Sequence, residues 1–172
     1  MLADLPAGVL ITWNGGGFDF PFLADRARLH GIDLGLRMRL DPSIAKREPL
    51  NGHDGHYRAT WYHHRHLDGY LVYRADVGAS LHLSCALKAV ARLVGIPAIS
   101  VDVERIHLLD RDQLRAYVAS DAWVARALVE RRWANAQAAI DRPEFVLWGT
   151  GAAPAAPSRP AEPVAPAGGV SP

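Results

Sequence analysis

Two short segments of this 172-residue chain set polar side chains at spacings that could support chemistry. In the first, Asn14-Gly15-Gly16-Gly17-Phe18-Asp19, an amide and a carboxylate flank three consecutive glycines. Glycine lets backbone approach a ligand closely, and a helix opening after such a turn offers free N–H groups to an anion. Asp19 equally suits a plain helix-capping role. No Gly-Lys-Ser/Thr follows, which excludes the lysine-bearing phosphate loop. In the second segment, Tyr117-Val118-Ala119-Ser120-Asp121, a phenol and a carboxylate stand four residues apart and so project from one side of a helix. Their neighbours on that stripe are apolar, which turns both groups toward the protein. A carboxylate there needs a partner, either a metal ion or a hydrogen-bonded phenol, unless it is a surface Asp beside an unrelated Tyr.

The surrounding pattern supplies elements to carry both segments. Val9-Leu10-Ile11-Thr12-Trp13 is a short apolar run that predicts a buried strand entering the glycine turn. Helical spacing of Phe22, Leu23, Ala27 and Leu29 predicts a helix from Phe18 to about His30, stopped by Gly31. Residues 41 to 55 read as loop, with Pro42, Pro49, Asn51-Gly52 and Asp54-Gly55, and Tyr57 to Leu67 reads as a second strand. Further helices are expected over Ala79–Val94, Val103–Leu109 and Asp112 to about Ala139. The last carries a stripe of Leu114, Tyr117, Val118, Asp121, Val124, Ala125 and Leu128. The class is α/β. Composition changes near Trp148: residues 149–172 are Ala/Pro-rich and hold half of the chain's 12 prolines, the signature of a disordered tail behind a single domain over 1–148.

Charge and composition narrow the function. With 19 Lys+Arg against 18 Asp+Glu, the net charge of +1 excludes a protein that grips nucleic acid through bulk positive charge. It leaves room for one that offsets phosphate with bound metal ions. The single cysteine, Cys85, excludes an intramolecular disulfide framework and fits a reducing compartment. No membrane-length apolar run and no signal-peptide start are present, so a cytoplasmic protein with no membrane partner is expected.

Taken together and in this order, the two segments resemble the second and third motifs of the DEDDy-type 3′–5′ exonucleases. This is the RNase H-like family that includes the proofreading domain of family B DNA polymerases. Asn14 to Asp19 matches Asn-x-x-x-Phe-Asp, and Tyr117 to Asp121 matches Tyr-x-x-x-Asp. Between them, His66-Leu67-Asp68-Gly69-Tyr70 is similar to the family's strand-end Asp. Ser84-Cys85-Ala86-Leu87-Lys88-Ala89-Val90 is similar to its helix before a Gly-Ile. The resemblance implies an RNase H-like fold and metal-dependent hydrolysis at the 3′ end of single-stranded DNA or RNA. Two Mg2+ or Mn2+ ions about 4 Å apart would clamp the scissile phosphate. It further implies Asp19 and Asp121 as metal ligands, Tyr117 as the residue orienting water, and Asn14 and Phe18 as substrate contacts. The family's first motif, Asp-x-Glu, has no counterpart among the thirteen residues before Asn14. The expectation is therefore a fold lacking its first strands, with two carboxylates to come from an upstream segment or a partner, or lost in a remnant. Nuclease activity of the chain alone is then expected near background. The alternative is a non-catalytic nucleic-acid-binding or interaction module derived from an exonuclease.

Other features admit plainer readings. Asp102-Val103-Glu104 spells Asp-x-Glu but opens a helix, where an N-cap and a first-turn acid are expected. His53, His56, His63, His64 and His66 cluster without cysteine. Clustered histidines can hold zinc, but without cysteine a solvated loop and strand edge is expected, with His63 facing away from His64 and His66. Trp13, Trp61, Trp123, Trp133 and Trp148 are expected mostly in packing, and the scattered arginines on solvated faces.

Overall fold

The computed structural model describes residues 2–44 and 50–140, so Trp148 and the 149–172 tail lie outside the described residues. Four strands form one mixed sheet in the order β1-β4-β3-β2: β1 (Val9–Thr12), β2 (Leu36–Leu40), β3 (Tyr57–Trp61) and β4 (His64–Asp68). Strands β1 and β4 run parallel with Val9 opposite Arg65 and Thr12 opposite Asp68. Strands β2 and β3 are antiparallel, from Leu36 opposite Trp61 to Leu40 opposite Tyr57. Five α-helices accompany them: α1 (Asp19–Leu29), α2 (Gly69–Tyr73), α3 (Leu87–Leu93), α4 (Arg111–Arg131) and α5 (Trp133–Ile140).

The alternation of β-strand side chains gives the sheet two dissimilar faces. On one, Val9, Ile11 and Leu67 meet Val129, Ala136 and Ile140 of α4 and α5. On the other, Phe20 of α1 sets its ring edge-on to His66, with centroids 4.6 Å apart, and to Trp61 at 5.8 Å. A second apolar cluster sits beyond the sheet, where Tyr73, Val77, Cys85, Val90, Ala91, Val124 and Leu128 join α2, α3 and α4. The result is an α/β arrangement with helices on both faces of the sheet.

Several elements depart from the sequence reading for identifiable reasons. The single strand expected over Tyr57–Leu67 is a hairpin, because Tyr62 takes the left-handed conformation (φ 52°) and reverses the chain. Its N–H reaches the Gly35 carbonyl at 2.9 Å, which steadies the turn against the loop before β2. Strand β2 itself was not anticipated, although Leu36-Arg37-Met38-Arg39-Leu40 alternates with period two. The helix expected over Ala79–Val94 is confined to Leu87–Leu93. Its first half is drawn out of helix, with His82 left-handed (φ 53°) and the Cys85 carbonyl taken by the Trp13 indole N–H at 2.9 Å. Immediately before that stretch stand α2 and a π-helical turn, Arg74–Gly78, which the sequence reading does not contain. The long C-terminal helix breaks at Arg132, whose guanidinium pairs with Asp76 and lies 4.7 Å from the Tyr73 ring centroid. Val103–Leu108 forms a 3-10 helix, and Asp102 caps it by accepting from the Glu104 N–H, the plainer reading of that Asp-x-Glu.

Candidate functional site

The glycine turn is held from below by a buried carboxylate. Asp68, at the end of β4, is 4% exposed and accepts four hydrogen bonds. They come from the N–H groups of Asn14 (2.7 Å), Gly16 (3.2 Å) and Tyr70 (3.1 Å) and from His56 Nε2 (2.9 Å). Burial opposes its ionisation, but the donation from His56 and from Asn14 outweighs burial and holds the carboxyl below the usual range. Because a carboxylate only accepts, the proton of the His56 contact resides on Nε2. His56 Nδ1 is a buried atom without a partner among the described residues. Beside it, burial pushes the His66 imidazole down to about 4 against the pull of Asp68, so the ring that shares a 2.8 Å contact with Thr12 Oγ1 is neutral at pH 7.

This arrangement changes what the glycines mean. A Cβ on Gly16 would run into the Tyr57 carbonyl and the His56 ring, so glycine here makes room for the chain's own strand β3. The turn's N–H groups at Asn14 and Gly16 are spent on Asp68 and that of Gly17 on the Asn14 carbonyl at 3.0 Å. Asn14 is left-handed (φ 64°), a conformation asparagine tolerates better than most residues. The turn is a clasp on Asp68, with those N–H groups already engaged inside the protein.

The first turn of α1 presents two aromatic rings and an acid. Phe18 and Phe22 are 49% and 47% exposed and lie nearly parallel, with centroids 6.1 Å apart. Asp19 is an exposed first-turn acid of α1; it is not the N-cap, since that position belongs to Phe18. At the other motif, Tyr117 and Asp121 do share one side of α4, and both are half-buried. The apolar stripe supports them only in part: Val124, Ala125, Leu128 and Val129 are buried, whereas Leu114 and Val118 are exposed. Asp121 forms an ion pair with Lys88 of α3, whose ammonium also donates to the Ile99 carbonyl at 2.7 Å and lies 4.9 Å from the Tyr117 ring centroid.

The structure thus gathers Tyr117 and Asp121 around Lys88, and Asn14 and Phe18 around the clasp on Asp68. Among the described residues, no group of three His, Cys, Asp or Glu side chains converges as a metal site, and the carboxylate of Asp121 faces an ammonium. The described donor set does not fit the two-metal centre that the sequence resemblance implies. The histidines depart from the expected solvated edge. His56, His64 and His66 are buried, and His53 bridges Asp25 Oδ2 (2.9 Å) and the Tyr57 hydroxyl (3.0 Å). Of the five only His63 is exposed, and its ring lies 4.3 Å from that of His64 instead of facing away from it. Of the tryptophans, Trp13 and Trp61 pack as expected, while Trp123 and Trp133 are 54% and 42% exposed. Sequence reasoning contains Lys88 and His56 but misses what they do: His56 is expected in a solvated loop and instead donates to Asp68. Lys88 lies inside the quoted helix motif, and no local pattern marks its reach to α4.

No protein-family model matches the chain, and no curated protein matches it. Among the described residues, no helix is long and apolar enough to cross a membrane.

Proposed function

We propose that this chain is a single-stranded nucleic-acid-binding module on an RNase H-like, exonuclease-derived scaffold, working in the cytoplasm and engaging a 3′ end without catalysing its removal. One observation carries the reading: the parallel, half-exposed rings of Phe18 and Phe22, set on the first turn of α1 beside the fixed Asn14. Every base has a π-face, so exposed aromatic rings bind single strands with little sequence preference. Asn14 is available to contact a terminal sugar or phosphate because its backbone is already anchored by Asp68. The test is fluorescence anisotropy with a 5′-labelled oligo(dT). Phe18→Ala together with Phe22→Ala is expected to weaken binding by about 1–3 kcal/mol, roughly 5- to 150-fold. Binding unchanged by the double substitution overturns this assignment.

A second reading, the metal-dependent 3′–5′ exonuclease, is favoured by a different observation. Among the described residues strand β1 ends the sheet and pairs only with β4, which leaves its outer backbone edge, next to Asn14, without a described partner strand. Carboxylates brought on such a strand, from an upstream segment or a partner, would be needed beside Asp19 and Asp121. Magnesium-stimulated release of 3′-terminal nucleotides by the purified chain, abolished in Asp19→Ala, would establish it; background activity in the chain alone is expected.

A further inference from the structure

The surroundings of Lys88 have the composition of a cation site. A carboxylate (Asp121) and the face of an aromatic ring (Tyr117), both from α4, converge with the backbone carbonyl of Ile99 on one point. Each of these groups stabilises positive charge, the ring through its quadrupole. The carbonyl is not there by accident of a loose loop, because the Ile99 N–H donates to Ser120 Oγ at 3.0 Å and ties that segment to α4. An ordinary surface ion pair has two partners and both are well solvated. Here the Lys88 and Asp121 side chains retain only 25% and 27% of their exposure, and the ammonium has three.

We propose that Lys88 is the resident cation of this site: its ammonium occupies the Asp121 carboxylate and thereby keeps divalent metal ions from it. A carboxylate that already faces a fixed ammonium offers a divalent ion like-charge repulsion at the distance where it would need to bind. The ion pair is close to net neutral, so the site removes the Asp121 negative charge that would repel a phosphate, and does so without recruiting metal. This last consequence rests on the nucleic-acid reading above; the exclusion of metal does not.

Paramagnetic line broadening in the amide spectrum of the full 172-residue chain, titrated with Mn2+, tests the exclusion directly. In the wild type, amides 117–121 are expected to broaden no earlier than those around Asp33, an exposed acid that serves as an internal reference. In Lys88→Met they should broaden at tenfold lower Mn2+, and adding Asp121→Asn should restore the wild-type response. Lys88→Arg, which keeps the charge, should behave as wild type. Should Lys88→Met lose spectral dispersion, Lys88→Gln replaces it. Selective broadening of 117–121 in the wild type overturns the proposal, as does an unchanged response in the folded uncharged variant. Oligo(dT) anisotropy in EDTA and in Mg2+ separates the two layers. Equal affinities support metal-free engagement, and binding abolished by EDTA overturns it. Absence of binding in both sinks the nucleic-acid reading while the Mn2+ result still decides the role of Lys88.

Discussion

Asp68 and Asp121 are both carboxylates next to a basic side chain, yet their surroundings assign them opposite work. Asp68 is sealed among three backbone N–H groups and His56 and touches no solvent of consequence. Asp121 keeps part of its exposure and answers to a single ammonium. A buried carboxylate saturated by donors is a structural part whose removal strands every donor it served. A partly exposed one with a single charged partner has fewer donors to strand, and its value lies in what it attracts or refuses. Residue type alone did not separate the two; the count of donors and the burial did.

The largest expected effect probes the sealed carboxylate. Asp68→Ala should cost about 3–5 kcal/mol in urea unfolding, because His56 and the turn N–H groups lose their acceptor inside the protein. A loss below about 1 kcal/mol would erase the contrast with Asp121. Next comes pH. The folded His66 titrates at about 4, and an unperturbed histidine near 6.5, so the unfolded chain binds a proton that the folded chain refuses between those values. The associated stability is fully present above pH 6.5 and declines as pH falls toward 4, by roughly 3 kcal/mol in all. His66→Gln should flatten that interval in a pH series of unfolding curves; an equally steep wild-type and variant profile would remove the buried pair of His66 and Thr12 from the account. The Asp68 carboxyl, held low, adds loss in the same direction only once pH drops below the usual carboxylate value near 4. The smallest effect belongs to the exposed partner. Asp121→Asn should change stability by less than about 1 kcal/mol, and a cost rivalling that of Asp68→Ala would mean that the two carboxylates are alike after all.

What could be read from the chain without its structure follows the range of the interactions involved. Strand β1, the start of α1 and the stop at Gly31 (φ 63°) are set by neighbours a few residues apart, and they fall where periodicity and turn chemistry place them. Asp102 as a cap was legible for the same reason. The hairpin at Tyr62 was not, since an aromatic residue in the left-handed region leaves no Gly or Asn to announce it. The failure of the Ala79–Val94 helix has a partner 72 residues away, the Trp13 indole on the Cys85 carbonyl, which no local pattern contains. At the site, Asn14, Phe18, Tyr117 and Asp121 were visible as residue types at a spacing. The groups that decide their roles, Asp68 with His56 and Lys88 with Ile99, reach them from other elements through tertiary contact.

The parallel pairing of β1 with β4 also favours one order of assembly. The β3–β4 hairpin closes across Tyr62 and His63, whereas residue 9 has to find residue 65 before β1 can dock. Local closure is fast and distant closure is slow, so the hairpin can be formed while the N-terminal strand is still searching. Asp68 is then waiting at the hairpin's end, and the Asn14 turn takes its shape only when β1 arrives to hand over its N–H groups. The surface that carries Asn14 and Phe18 is therefore among the last parts of the sheet to mature, and newly made chains would acquire it late.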